Sequence, residues 1–115
     1  MNIQTRQAGN ATVISVFGKL DAMTAPAFET SIADLIGEGK LSMVLDLGGV
    51  DYISSAGLRV ILATAKSLKG KDGLLLLANP RGPVLEVFEI SGFGSVFSIY
   101  DSVEAAVEAG RESAG

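Results

Sequence analysis

The hydrophobic period of this chain changes near residue 50, and that change limits the folds open to it. Met43-Val44-Leu45-Asp46-Leu47 is an apolar run of strand length. Downstream, Leu58, Ile61, Leu62, Ala65 and Leu68 recur at i, i+3, i+4, i+7 and i+10, the spacing of one helix face. A second buried run, residues 73–78, follows at once. Strand, helix, strand is the order of a crossover unit, because two parallel strands cannot be joined by a tight turn. The crossover should be right-handed.

The flanking segments extend the pattern. Residues 2–7 read as an edge strand and residues 12–17 as a β-branched and aromatic strand, with Gly9-Asn10 between them as the turn of an antiparallel hairpin. Thr24 is placed to cap a helix with Pro26 in its first turn; Phe28, Ile32, Leu35 and Ile36 form its apolar stripe, and Gly37 and Gly39 stop it. The next strand is expected over residues 42–47, with Gly48-Gly49 leading into a loop. The central helix should run from Ser55 to Lys69 and stop at Gly70. Pro83 opens a short helix with Val84, Val87 and Phe88 inward, closed by Ser91-Gly92. Residues 95–100 read as the last strand. Asp101 and Glu104 stand at capping-box spacing ahead of a helix with Val103, Ala106, Val107 and Gly110 on one side. Residues 111–115 are small and polar and should fray.

The expected architecture is therefore one α/β domain over residues 1–115. It has a small, mixed, mostly parallel sheet of about five strands that starts with an antiparallel hairpin, and four helices. A 115-residue chain is the length of one domain. Four helices on one small sheet should cover one face better than the other.

Composition narrows the chemistry. The net charge is −4, which argues against a nucleic-acid binder. Lys66, Lys69 and Lys71 cluster, but at a helix C-terminus they are read as a solvated face that complements the dipole. With no Cys and no His, the chain has no disulfide, no thiol nucleophile, no Ser–His relay and no thiolate or imidazole metal site. No signal peptide and no membrane-length apolar run are visible, so a cytoplasmic protein without membrane insertion is expected, a monomer by default. No cofactor is implied, since no G-x-x-x-x-G-K-S/T loop occurs.

An enzyme would need an activated group. Ser55 at a strand-to-helix junction lacks both the G-x-S-x-G frame and a base. Asp46, near a strand end, resembles the phosphoacceptor of a receiver domain, but the companion acids and the Lys near the last strand are missing. Asp46 is better read as a hydrogen-bonding partner of a neighbouring loop. No catalytic residue is assigned.

Ser54 and Ser55 remain. Either hydroxyl could cap the central helix, leaving the other free. A phosphate there would meet unpaired N–H groups and the positive end of the dipole. Arg59, four residues after Ser55, leans back toward the helix start and can pair with it. Arg59 and Val60 lie off the apolar stripe and are expected to be exposed, whereas Leu58 is expected in the core.

The run Tyr52-Ile53-Ser54-Ser55-Ala56-Gly57-Leu58 resembles the signature loop of STAS domains, as in bacterial anti-sigma factor antagonists. Gly18-x-Leu20-Asp21 and Val44-Leu45-Asp46-Leu47 match in kind and order. The resemblance implies a phosphorylation-switched binding module. It further implies an anti-sigma factor that is also a serine kinase as the partner, and a PP2C-type phosphatase that restores the unmodified form. By position it implies Ser55 as acceptor, with Ser54 as the less favoured site. Asp21, Ser54, Ala56, Gly57, Arg59 and Val60 are the implied partner contacts. Many antagonists carry Asp before the acceptor where this chain has Ser54. That departure leaves room for a STAS subunit of a sensory complex or transporter instead.

Overall fold

A computed structural model describes residues 2–114, and their side chains through Arg111. The chain runs β1 (Asn2–Ala8), β2 (Ala11–Leu20), α1 (Ala25–Gly37), β3 (Ser42–Ile53), α2 (Ser55–Lys69), β4 (Leu74–Ala78), α3 (Gly82–Ile90), β5 (Ile99–Tyr100) and α4 (Val103–Ala114). The five strands lie in the order β1-β2-β3-β4-β5; β1 and β2 pair antiparallel and the rest are parallel. This is the mixed sheet with four helices expected of a STAS-like α/β domain.

The sheet has two unequal faces because strand side chains alternate. Ile14, Val16, Met43, Leu45, Leu75 and Leu77 point to one face and join Phe28 and Ile32 of α1, Ile61 and Leu68 of α2, and Val84 and Phe88 of α3. Ala11, Val13, Val44, Leu76 and Ala78 point to the other, where α4 covers them with Ala106, Val103 and Val107. Three helices therefore share one side and a single helix shields the other.

Four local expectations are corrected. First, β3 does not stop at Leu47; it runs through Gly48-Gly49 to Ile53. A side chain at position 49 would collide with the ring of Phe17, and one at position 48 with the Asn79 amide. These glycines mark close approach inside the sheet, not a turn. β2 continues alongside to Leu20, with register shifts between Ser15 and Phe17 and between Gly18 and Lys19.

Second, the last strand is two residues long. Gly92, at φ 80°, turns the chain into a short 3-10 helix, Phe93–Ser95. The Phe93 and Phe97 rings meet edge-on at 5.8 Å, and Phe97 meets Phe88 at 6.2 Å. That aromatic packing takes residues 93–97 away from the sheet edge.

Third, α4 is capped by Ser102, whose Oγ accepts from the Ala105 N–H at 3.1 Å, one residue on from the Asp101 expected. The helix runs through Ala114, and Gly115 lies outside the described residues. Fourth, Thr24 sits at the start of α1 but does not cap it. Its hydroxyl turns back, donating to the Lys19 carbonyl at 2.8 Å and accepting from the Asp21 N–H at 3.0 Å.

Candidate functional site

The site forms where β2 and β3 end together. Leu20 and Ile53 are partners in the parallel register, and the next residue, Ser54, donates its N–H to the Leu20 carbonyl at 3.0 Å. One residue beyond that bond on each side stand Asp21 and Ser55. The register therefore brings the two to the same end of the sheet, and Ala22 and Ala56 line one cleft beside them.

Asp21 is held by its own turn. Its Oδ1 accepts from the N–H groups of Met23 and Thr24 at 3.0 and 3.2 Å. This is an Asx-type turn, closed again by the Thr24 hydroxyl. Asp21 is half-buried.

The two serines differ sharply. Ser54 has the extended backbone of a cap residue, φ −103° and ψ 176°, and its carbonyl accepts the first helical bond from Leu58 at 3.0 Å. Yet its hydroxyl makes no capping bond; the Oγ is sealed from solvent and has no hydrogen-bond partner among the described residues. The expectation that one serine caps while the other stays free is corrected on the first half. Ser55, the first residue of α2, is exposed. Around it the first-turn N–H groups have no intrahelical acceptor.

Gly57 is buried, because α2 rests its first turn on the end of β2. A Cβ there would lie 2.6 Å from the Leu20 carbonyl oxygen and 2.8 Å from Leu20 Cγ. Leu58 is in the core. Arg59 is exposed and has no carboxylate within ion-pair distance among the described residues.

Val60 is corrected: it is only 7% exposed. The single apolar stripe read from the sequence supposes one packing partner, but α2 has two. Its second buried line, Val60 and Thr64, faces α1, where Ile32 and Ile36 stand opposite. The Thr64 hydroxyl is satisfied by donating to the Val60 carbonyl at 2.8 Å. Toward Ser55 this seam opens into a cleft of about 350 Å³, with Ala25, Pro26 and Glu29 on one wall and Ala56, Arg59 and Ala63 on the other.

Asp46 lies within β3 and accepts from the Ser15 hydroxyl and the Gly48 N–H, both at 3.0 Å. It is thus a hydrogen-bonding partner of its surroundings. Among the described residues no group of three acidic side chains converges as a metal site. No described helix is long and apolar enough to cross a membrane.

Two exposed side chains at this end were not singled out from the sequence. Met23 is 88% exposed in the Asp21 turn, and Tyr52 is 50% exposed near the end of β3, beside Lys19. A large apolar residue inside a turn was the available signal for Met23. Tyr52 carries no such signal, because Gly48-Gly49 ahead of it reads as the start of a loop.

Comparison with known proteins places these features in a family. Residues 2–106 match the STAS domain. BtrV of Bordetella bronchiseptica, to which the role of anti-sigma factor antagonist is ascribed, is 47% identical over 92 residues, covering 80% of this chain and 79% of its own. The anti-sigma-B factor antagonist of Bacillus subtilis is 27% identical over 108 residues, covering 94% and 98%. The crystal structure of an anti-sigma factor antagonist from Mycobacterium paratuberculosis superposes with a TM-score of 0.87 at 29% identity, covering 96% of this chain and 93% of the other.

Proposed function

The chain belongs to the STAS domain family, and from that premise we propose that it is an anti-sigma factor antagonist switched by phosphorylation of Ser55. In this reading it has no catalysis of its own. It captures an anti-sigma factor serine kinase in the cytoplasm, acts as a monomer, and is returned to its active form by a PP2C-type phosphatase.

The observation that carries the reading is the contrast between the adjacent serines. Ser55 is open at the mouth of α2, while the Ser54 Oγ is sealed. A kinase reaches the first and not the second. Asp21, Ala56 and Arg59 surround the acceptor as partner contacts, with Met23 and Tyr52 extending that surface. Gly57 and Val60 serve it from beneath, by seating α2. Ser54 contributes its backbone.

The switch then works by exclusion. A phosphate adds about −1.5 to −2 charges. The helix dipole and free N–H groups accommodate it without refolding the domain. The same group, with Asp21 nearby, opposes a partner docked on this end. A penalty of about 3–4 kcal/mol weakens binding several-hundred-fold.

The test is an intact-mass measurement after incubation with ATP and the serine-kinase anti-sigma factor of the same organism. One acid-stable phosphate, absent from Ser55→Ala and retained by Ser54→Ala, is the expected result. Phosphate retained by Ser55→Ala, or labile as an acyl phosphate on Asp46, overturns it. No phosphate at all favours a STAS subunit of a sensory or transport assembly.

A further inference from the structure

The outer edge of β4 is left partly open. β5 pairs only Ile99 with Leu77 and Tyr100 with Ala78. In a parallel ladder, alternate residues turn both their N–H and their C=O to the same side. Leu74 donates toward β3, to the Leu41 carbonyl at 2.9 Å, so Gly73, Leu75, Leu77 and Asn79 face the other way. Gly73 donates to Leu68 at 2.6 Å, Leu77 to Ser98 at 3.0 Å and Asn79 to Tyr100 at 2.8 Å. Leu75 is the member of this row whose N–H and C=O have no such partner among the described residues.

This edge opens into a groove of about 500 Å³ between α2, β4 and residues 96–98. Leu62, Leu75 and Phe97 give it an apolar lining, and Val96 stands 60% exposed beside it. Lys66 and Lys69, on the last turns of α2, stand over it with no carboxylate at ion-pair distance among the described residues. Two neighbouring ammonium groups run against the net charge of −4.

We propose that this groove takes an extended, acidic segment of a partner protein, whose backbone pairs with Leu75 and whose carboxylates meet Lys66 and Lys69. A strand added at a sheet edge supplies both an acceptor for the Leu75 N–H and a donor for its C=O. An acyl carboxylate would supply only the acceptor and leave the Leu75 carbonyl unpaired. The charge complement selects acidic over basic segments. The groove lines the C-terminal half of α2, from about 10 to 20 Å along the helix from Ser55. A segment held here leaves the phosphorylation end free, and the inference does not depend on the assignment of that serine.

The test is an amide NMR titration of the intact protein with acetyl-Val-Glu-Val-Glu-Val-amide, its Lys-for-Glu counterpart, and decanoate. The acidic peptide should move the Leu75 amide proton downfield, with Leu62, Val96 and Phe97 following. The basic peptide should bind at least tenfold more weakly. The double variant Lys66→Glu, Lys69→Glu should reverse that preference while amides in β1 and β2 keep their shifts. Shifts centred on Ser55 to Arg59, or no Leu75 response at millimolar acidic peptide, overturn the proposal. So does a Leu75 response to decanoate alone, which would make the groove a small-amphiphile site.

Discussion

A Cβ at Gly57 would lie 2.6 Å from the carbonyl oxygen of Leu20, so the first turn of α2 sits directly on the end of β2. The same Leu20 oxygen accepts the Ser54 N–H at 3.0 Å. One residue of β2 thereby sets both the height and the direction at which α2, and with it Ser55, leaves the sheet.

Gly57→Ala therefore tests the seating of the helix. In an exposed helix interior the change would stabilise by about 1 kcal/mol. Here the added methyl meets backbone, which cannot rotate away. A net loss of roughly 1–3 kcal/mol is expected from urea unfolding. A gain in stability would mean that α2 is not seated on Leu20.

Ser54→Ala separates a capping hydroxyl from an unpaired one. A working cap lost to Ala costs about 0.5–2 kcal/mol. The Ser54 Oγ is buried without a partner among the described residues, so its removal should leave stability unchanged or raise it by up to ~1 kcal/mol. Thermal unfolding of the variant beside the parent reads the sign. A clear loss would show that the hydroxyl caps α2 after all.

For binding, Ser55→Ala should hold the partner kinase as tightly as the unmodified protein, and Ser55→Asp should hold it at least tenfold more weakly. A single carboxylate carries less charge and bulk than phosphate, so its effect should fall short of the several-hundred-fold proposed for the phosphorylated form. Calorimetric titration against the kinase gives both values. Equal affinities for the two variants would remove charge at position 55 from the mechanism.

Arg59 should act on the phosphate through the i, i+4 relation. An anion placed N-terminal to a cation at this spacing is worth about 0.4 kcal/mol, or about 0.3 pKa unit. The cation favours the dianion, so it lowers the second phosphate pKa. Arg59→Ala in protein phosphorylated at Ser55 should raise that pKa by about 0.3 unit in a phosphorus NMR titration. An unchanged value would place the guanidinium elsewhere, for instance on Glu29 across the cleft.

Phe88 anchors α3 and the aromatic turn that ends the sheet. It is fully buried and meets Phe97 edge-on. Phe88→Ala should cost about 3–5 kcal/mol, measured by denaturant unfolding. Part of that cost should appear as loosened packing of residues 93–97.

Much of this protein is legible in its residues because local rules and the fold agree. The change of period near residue 50 announces a crossover. Gly39, at φ 84°, follows the end of α1, Pro83 opens α3, and the hairpin at Gly9-Asn10 starts the sheet. Each of these is settled by the backbone preferences of a few neighbouring residues. The serine pair at the head of a helix is visible in the same way.

Other features depend on which surfaces meet, and a linear pattern does not carry that information. Gly48-Gly49 looks like a turn until β2, with Phe17, lies beside it. Val60 looks exposed until α1 gives α2 a second neighbour. The aromatic contacts of Phe88, Phe93 and Phe97 shorten β5 and leave the Leu75 edge open. Adjacent serines of identical chemistry diverge because one hydroxyl falls inside the junction of β2, β3 and α2 and the other just outside it. Periodicity records that a residue has a buried side; only the assembled neighbours decide how many sides are buried and which oxygen meets water.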